Sequence, residues 1–121
     1  MKTDSDKTPF AFVANRIEGI DRVTANLRDG AGELSAEKLA DLFDRPLVEF
    51  AAKTLDELRH CERIARLRAW HGYESTQAFR AWLNRPAPIF QGRNPLDLVS
   101  SGEAVRVAIV IDRLLLGDFG G

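Results

Sequence analysis

The sequence predicts an all-α fold, a small helical bundle, and three observations carry that prediction. Nearly every apolar residue recurs at a spacing of three or four, the period of an amphipathic helix. Alternating β-branched runs between hairpin turns are almost missing. Ser, Thr, Asn, Pro and Gly stand where helices would start and stop. With 121 residues, 45% of them apolar, the chain can bury one core. It reads as one domain or two small helical modules sharing that core. The seam lies near Gly72 and separates an N-terminal helical, helix-turn-helix-like part (1–72) from a C-terminal part (73–121).

The first helix is expected from about Pro9 to Arg28. Phe10, Val13, Ile17, Ile20, Val23 and Leu27 form its apolar stripe, Thr8-Pro9 starts it, and Asp29-Gly30-Ala31-Gly32 ends it. Ser35 caps a short helix carrying Leu39, Leu42 and Phe43, which Asp44-Arg45-Pro46 breaks. A second short helix follows with Leu47, Phe50 and Ala51. Thr54-Leu55-Asp56-Glu57 reads as a capping box opening a longer helix to Trp70, closed at Gly72. Ser75 caps the next, bearing Phe79, Trp82 and Leu83. The prolines of Asn84-Arg85-Pro86-Ala87-Pro88 force an extended loop. Asn94-Pro95 starts one more turn through Leu96, Leu98 and Val99. Ser101 is expected to cap a final helix with Val105, Ala108, Ile109 and Leu116 on one side, ended by Gly117.

Charge narrows the function classes. Seventeen basic against eighteen acidic side chains leave a net charge of -1, which gives no broad positive field for nucleic-acid phosphates. Cys61 is the only cysteine, so no internal disulfide and no cysteine-based zinc cluster can form, and a lone thiol suits the cytoplasm. Met1 to Lys7 is polar and lacks the apolar core of a signal peptide. No apolar run approaches the roughly 20 residues that span a bilayer.

Nothing in the sequence looks catalytic, and neither cofactor nor metal is expected. His60 and Cys61 are neighbours on a helix and point about 100° apart, which is poor geometry for a base and a nucleophile. Cys61 falls on the apolar side and reads as a core residue. His60 and His71 lack the i,i+4 spacing of a helical metal pair. Asp41, Asp44, Asp56 and Glu57 sit at helix ends, where carboxylates answer the helix dipole. Phosphate-cradling and dinucleotide-binding glycine motifs are missing.

Ser35 to Lys53 has the rhythm of a helix-turn-helix, which opens the alternative of a DNA-binding transcriptional regulator. Candidate DNA contacts are Arg45, Lys53 and Thr54. Glu49, Asp56 and Glu57 weigh against them, since acids would face phosphates.

The most specific stretch is FRAWLNRPAPIFQGRNPLDLVSSGEAVRVAIVIDRLLLG, from Phe79 to Gly117. Its features are Trp82-Leu83-Asn84, then Gly92, Pro95, Leu96, Leu98, Gly102, Val105, Asp112 and Gly117 in order. This resembles the C-terminal toxin-binding domain of the MbcA/ParS/Xre antitoxin family. The resemblance implies a non-catalytic, all-helical, cytoplasmic antitoxin that blocks the active site of a RES-domain toxin using NAD. It also implies a homodimer formed through the N-terminal half. The toxin-binding residues it suggests are Phe79, Trp82, Leu83, Leu96, Arg106, Asp112, Arg113, Leu116, Gly117, Asp118 and Phe119. Phe119, in a short tail beyond Gly117, stands out as an aromatic with no evident core to join.

Overall fold

In the computed structural model, residues 9–70 and 75–116 are described, with side chains for 17–70 and 75–113. Helix α1 spans Pro9–Asn26, α2 Ala36–Phe43, α3 Leu47–Ala51, α4 Leu55–Trp70, α5 Thr76–Leu83, α6 Pro95–Ser100 and α7 Ala104–Leu116, with a 3-10 turn at Pro88–Phe90. Among the described residues there is no strand, only an isolated bridge between Arg28 and Leu34. No described helix is long and apolar enough to cross a membrane. The fold is an all-α bundle.

Local chemistry sets most of the boundaries. Ser35 Oγ accepts from Lys38 N at 3.1 Å, Ser75 Oγ from Ala78 N at 3.1 Å, and Asn94 Oδ1 from Asp97 N at 2.9 Å. After α1 the chain turns on Asp29, whose Oδ1 accepts from Ala31 N and Glu33 N, both at 2.9 Å. Gly32 completes that turn at a φ of 81°. Half of the expected capping box forms. Thr54 Oγ1 accepts from Glu57 N at 3.2 Å, while the Glu57 carboxylate lies 3.8 Å from Lys53 Nζ.

Ser101 does not cap the final helix. It closes α6, its hydroxyl within hydrogen-bond distance of Leu98 O (3.2 Å) and Glu103 Oε2 (2.9 Å). The chain turns again through Gly102, at φ 82°, before α7 begins at Ala104. The sequence offered a serine ahead of an apolar run, but the turn at Gly102 moves the helix start from residue 102 to Ala104. The proposed end at Gly117 and the closure at Gly72 lie outside the described residues.

One apolar core runs through the whole bundle. Phe43 of α2 lies 5.4 Å from Phe50 of α3 and meets Phe79 of α5 edge to face at 5.2 Å, centroid to centroid. Leu39, Ile64, Leu83, Leu98, Val99, Val107 and Ile111 extend this core, and Leu27 closes it at the end of α1. Each fully buried side chain of this size stabilises the fold by about 2 kcal/mol. Helix α4 packs against both α1 and α7. Of the α1 stripe, Leu27 is buried, Val23 packs on the core and Ile17 is exposed; the side chains of Phe10 and Val13 lie outside those described.

The buried face of α7 is Ala104, Val107, Ala108 and Ile111. The expected grouping of Val105, Ala108 and Ile109 is therefore corrected: Val105 and Ile109 are exposed, about one residue's rotation round the helix. Both stripes are apolar at helical spacing, so periodicity alone does not choose between them. Small residues on the observed face (Ala104, Ala108) and on α4 (Cys61, Ala65) suit close helix approach.

Two charges are buried with the core, Glu62 and Arg68. Glu62 is held by a fork from Arg28, whose Nη2 lies 2.8 Å and 2.9 Å from the two carboxylate oxygens and whose Nε lies 3.1 Å from one of them. The Glu62 side chain is 8% exposed and that of Arg28 35%, so the two ends of this pair are not equivalent. Arg28→Ala strands a buried carboxylate and is expected to cost about 3 kcal/mol. Glu62→Gln leaves a guanidinium that reaches water and is expected to cost clearly less. Urea unfolding of both variants measures this asymmetry; equal losses would contradict it.

Candidate partner-binding surface

The C-terminal part leaves outer surface on α5, the 3-10 turn, α6 and α7. Pro88 starts the turn, and of the two adjacent apolar residues only Phe90 can face inward, so Ile89 points to solvent. On α7, Val105 and Ile109 form an exposed apolar stripe at i,i+4 spacing, with Arg106 and Arg113 also exposed. Trp82 is half-buried, its ring 5.9 Å from Phe79 and 4.6 Å from the Arg68 guanidinium carbon. Leu96 is also half-buried at the edge of the core.

The structure divides the sequence-suggested residues. Phe79 and Leu83 sit in the core, where they offer a partner no area without repacking, so their place is structural. Asp112 is engaged within the chain, its Oδ2 2.5 Å from Arg63 Nη2, which joins α7 to α4. Arg106 is bonded to Glu103 at 2.5 Å. Trp82, Leu96, Arg106 and Arg113 retain surface. Of Leu116 only the backbone is described, and Gly117, Asp118 and Phe119 lie outside the described residues.

Sequence reading missed a polar hub behind this surface. Glu103 accepts from Arg106, from Ser101 at 2.9 Å and from Arg93 at 3.3 Å, fastening the α6–α7 turn to the loop before α6. The hydrogen bonds from Arg106, Ser101 and Arg93 together hold its carboxyl below the usual carboxylate range. Arg80 was missed as well. Its Nε donates to Leu42 O at 3.1 Å and its Nη2 to Asp41 O, so α5 supplies donors to the carbonyl end of α2. No local spacing signals such a contact, because its partners are nearly forty residues away.

The candidate DNA contacts are used within the fold. Arg45 pairs with Glu49 at 2.7 Å, and Glu49 Oε2 also accepts from Ser100 at 3.0 Å. The Lys53 side chain is 7% exposed, donates to Val99 O at 2.8 Å and lies 5.2 Å from the Phe50 ring centroid. Thr54 caps α4. What α3 shows to solvent is apolar: Leu47, Val48 and Ala51.

Among the described residues, chemistry-bearing groups do not converge. Burial pushes the Cys61 thiol up to about 12, so it is not a thiolate nucleophile. Among the described residues no three His, Cys, Asp or Glu side chains are grouped so as to hold a metal ion. A groove of about 580 Å³ runs between α1, α2 and α5 and is lined by Val23, Leu27, Leu42, Phe79 and a few polar groups. Its mixed lining suits contact better than reaction.

Residues 66–117 match the family model described as the antitoxin Xre/MbcA/ParS C-terminal toxin-binding domain. The match begins inside α4 and covers α5, α6 and α7, the elements that build the outer face described above. No curated protein and no solved structure matches the chain.

The charge hubs give the fold an acid limit. Burial alone would raise the Glu49 carboxyl, but hydrogen bonds from Arg45 and Ser100 outweigh it and leave the group below its usual value. Glu103 is lowered too. Groups depressed on folding contribute stability that is fully present above about pH 4.5, their ordinary value, and is lost as pH falls through the folded value. Melting temperature should therefore fall between pH 5 and pH 3, and Glu49→Gln or Glu103→Gln should make that fall shallower. An unchanged slope in both variants would show that neither hub matters.

Proposed function

We propose, on the premise that residues 66–117 are a toxin-binding domain of the Xre/MbcA/ParS antitoxin type, that this protein silences a RES-domain toxin that uses NAD. The observation that carries the reading is that match, laid over a face with exposed Val105 and Ile109 beside Arg106 and Arg113. Apolar area rimmed by charge is the usual make-up of a protein interface. The toxin docks on α7, and the chain beyond Gly117 enters its active site. A dinucleotide pocket needs a flat ring and a place for anions; Phe119 and Asp118 supply both chemistries. The protein is itself no catalyst, acts in the cytoplasm, and works as a homodimer formed through its N-terminal half. Specific operator binding by α3 is outside this reading, because Arg45 and Lys53 are held by Glu49 and Val99.

Co-expression with the product of the neighbouring gene tests the reading. A stable complex should copurify, toxin NAD consumption should stop, and the isolated chain should leave NAD untouched. Ile109→Glu places a charge in the docking stripe without touching the core and should weaken toxin binding by about a hundredfold, near 3 kcal/mol. Removing the residues after Gly117 should preserve much of the binding and lose most of the inhibition. A truncated chain that inhibits as well as the full one would move the block from the tail to the helix surfaces. NAD turnover by the isolated chain would overturn the reading altogether.

A further inference from the structure

Beyond its first turn, helix α4 shows water one chemistry. From Glu57 to Trp70 its exposed residues are Arg59, Arg63 and Arg66, with no acid among them. At 3.6 residues per turn these three and the half-buried Trp70 fall within about 60° of one another round the helix, a single row. The row borders two hollows that meet along it. A cleft of about 440 Å³ is lined by Arg59, Arg63 and Arg66 together with Arg28, and by Leu34 and Leu55 on an apolar wall. A smaller hollow of about 230 Å³ shares Arg63 and Arg66 and is otherwise apolar, walled by Trp70, Leu67 and Ile20.

The charge in this row is only partly spent. Arg28 is committed to the buried Glu62, and Arg63 gives one nitrogen to Asp112. Arg59 has an exposed contact to Asp56 at 3.5 Å, a kind of pair that water leaves nearly worthless. Arg66 makes no hydrogen bond or ion pair with another described residue. Like charges three and four residues apart on a helix repel, and an anion set between them removes that cost.

We propose that this row binds a nucleotide carrying two or three phosphates, its phosphates on Arg59, Arg63 and Arg66 and its base against Trp70. Guanidinium groups take phosphate oxygens two at a time, and an indole accepts a flat ring. The rise from Arg59 to Trp70 is about 16 Å, which suits an extended ligand with unlike ends rather than a lone anion. A passing nucleic-acid strand fits less well. Glu33 stands on the cleft wall and Asp56 one turn before Arg59, so phosphates continuing past the row would meet acids, whereas a nucleotide ends inside it. The site uses none of the exposed α7 residues assigned to the toxin and does not depend on that reading.

Calorimetric titration of the full-length chain with ATP as probe, and with inorganic triphosphate and adenosine as its two halves, tests the proposal. ATP should bind in the micromolar range and each half at least about tenfold more weakly. Arg59→Gln and Arg66→Gln should each weaken ATP about tenfold. Arg85→Gln, the same loss of charge at an exposed site on another element, should leave ATP binding unchanged. Glu33→Gln removes an acid from the cleft and should tighten ATP severalfold, a gain that misfolding cannot produce. No binding at millimolar ATP overturns the proposal, as does an Arg85→Gln effect equal to that of Arg66→Gln, which would reflect overall charge. Triphosphate binding as tightly as ATP removes the role of Trp70 and overturns it too. So does an oligothymidylate that binds more tightly than ATP and is lost in Arg66→Gln, since the row would then be a nucleic-acid track.

Discussion

The bundle depends on one helix that must bury charge. Helix α4 sits between α1 and α7, so its sequence cannot keep a polar face to water along its full length. Glu62 and Arg68 are taken into the interior together with Leu58, Cys61, Ile64, Ala65 and Ala69. A carboxylate in that position is tolerable only when its lone pairs are occupied. The fork from Arg28 does this, and it also fixes where α1 must end. The Asp29 turn that follows then delivers Ser35 to start α2. On the far side, Arg63 reaches Asp112 and orients α7. The placement of the outer face thus follows from how α4 satisfies its charges.

The fold was legible where the controlling chemistry is local. Ser35, Ser75 and Asn94 cap the helices that follow them because a cap needs only its own next three residues. Gly32 and Pro46 mark turns for the same reason. Reading failed where two local solutions were equally good. Ser101 could have capped α7, and only the turn at Gly102 decides otherwise. Val105 and Ile109 form as regular a stripe as Val107 and Ile111, and the choice between them belongs to the surface of α4. Contacts such as Arg80 with the end of α2, or Lys53 with Val99, leave no trace in spacing.

The candidate site was legible to a similar degree. Trp82, Leu83, Gly92 and Pro95 carry the resemblance, and residues 66–117 match the corresponding family model. Residues that carry a family pattern need not be the ones that touch a partner. Leu83 and Phe79 are core, and Pro95 is fully buried, so much of the pattern records how the domain folds. The large apolar residues that the matched segment exposes are Ile89, Val105 and Ile109, none of which stands out as a motif. A core is held to a pattern by packing, whereas an outer face answers only to the molecule that meets it.

The edge-to-face pair of Phe43 and Phe79, with Arg80 on the carbonyls of Asp41 and Leu42, crosses the boundary between the two halves of the chain. It makes the matched segment unsuitable for transplantation. Residues 66–117 grafted onto another carrier would leave Phe79 without its neighbour and expose the face of α5 that Phe43 covers. The same wiring ties the packing of the second half to the integrity of the first. A cut near α2 would take from α5 the ring against Phe79 and the carbonyls that Arg80 holds.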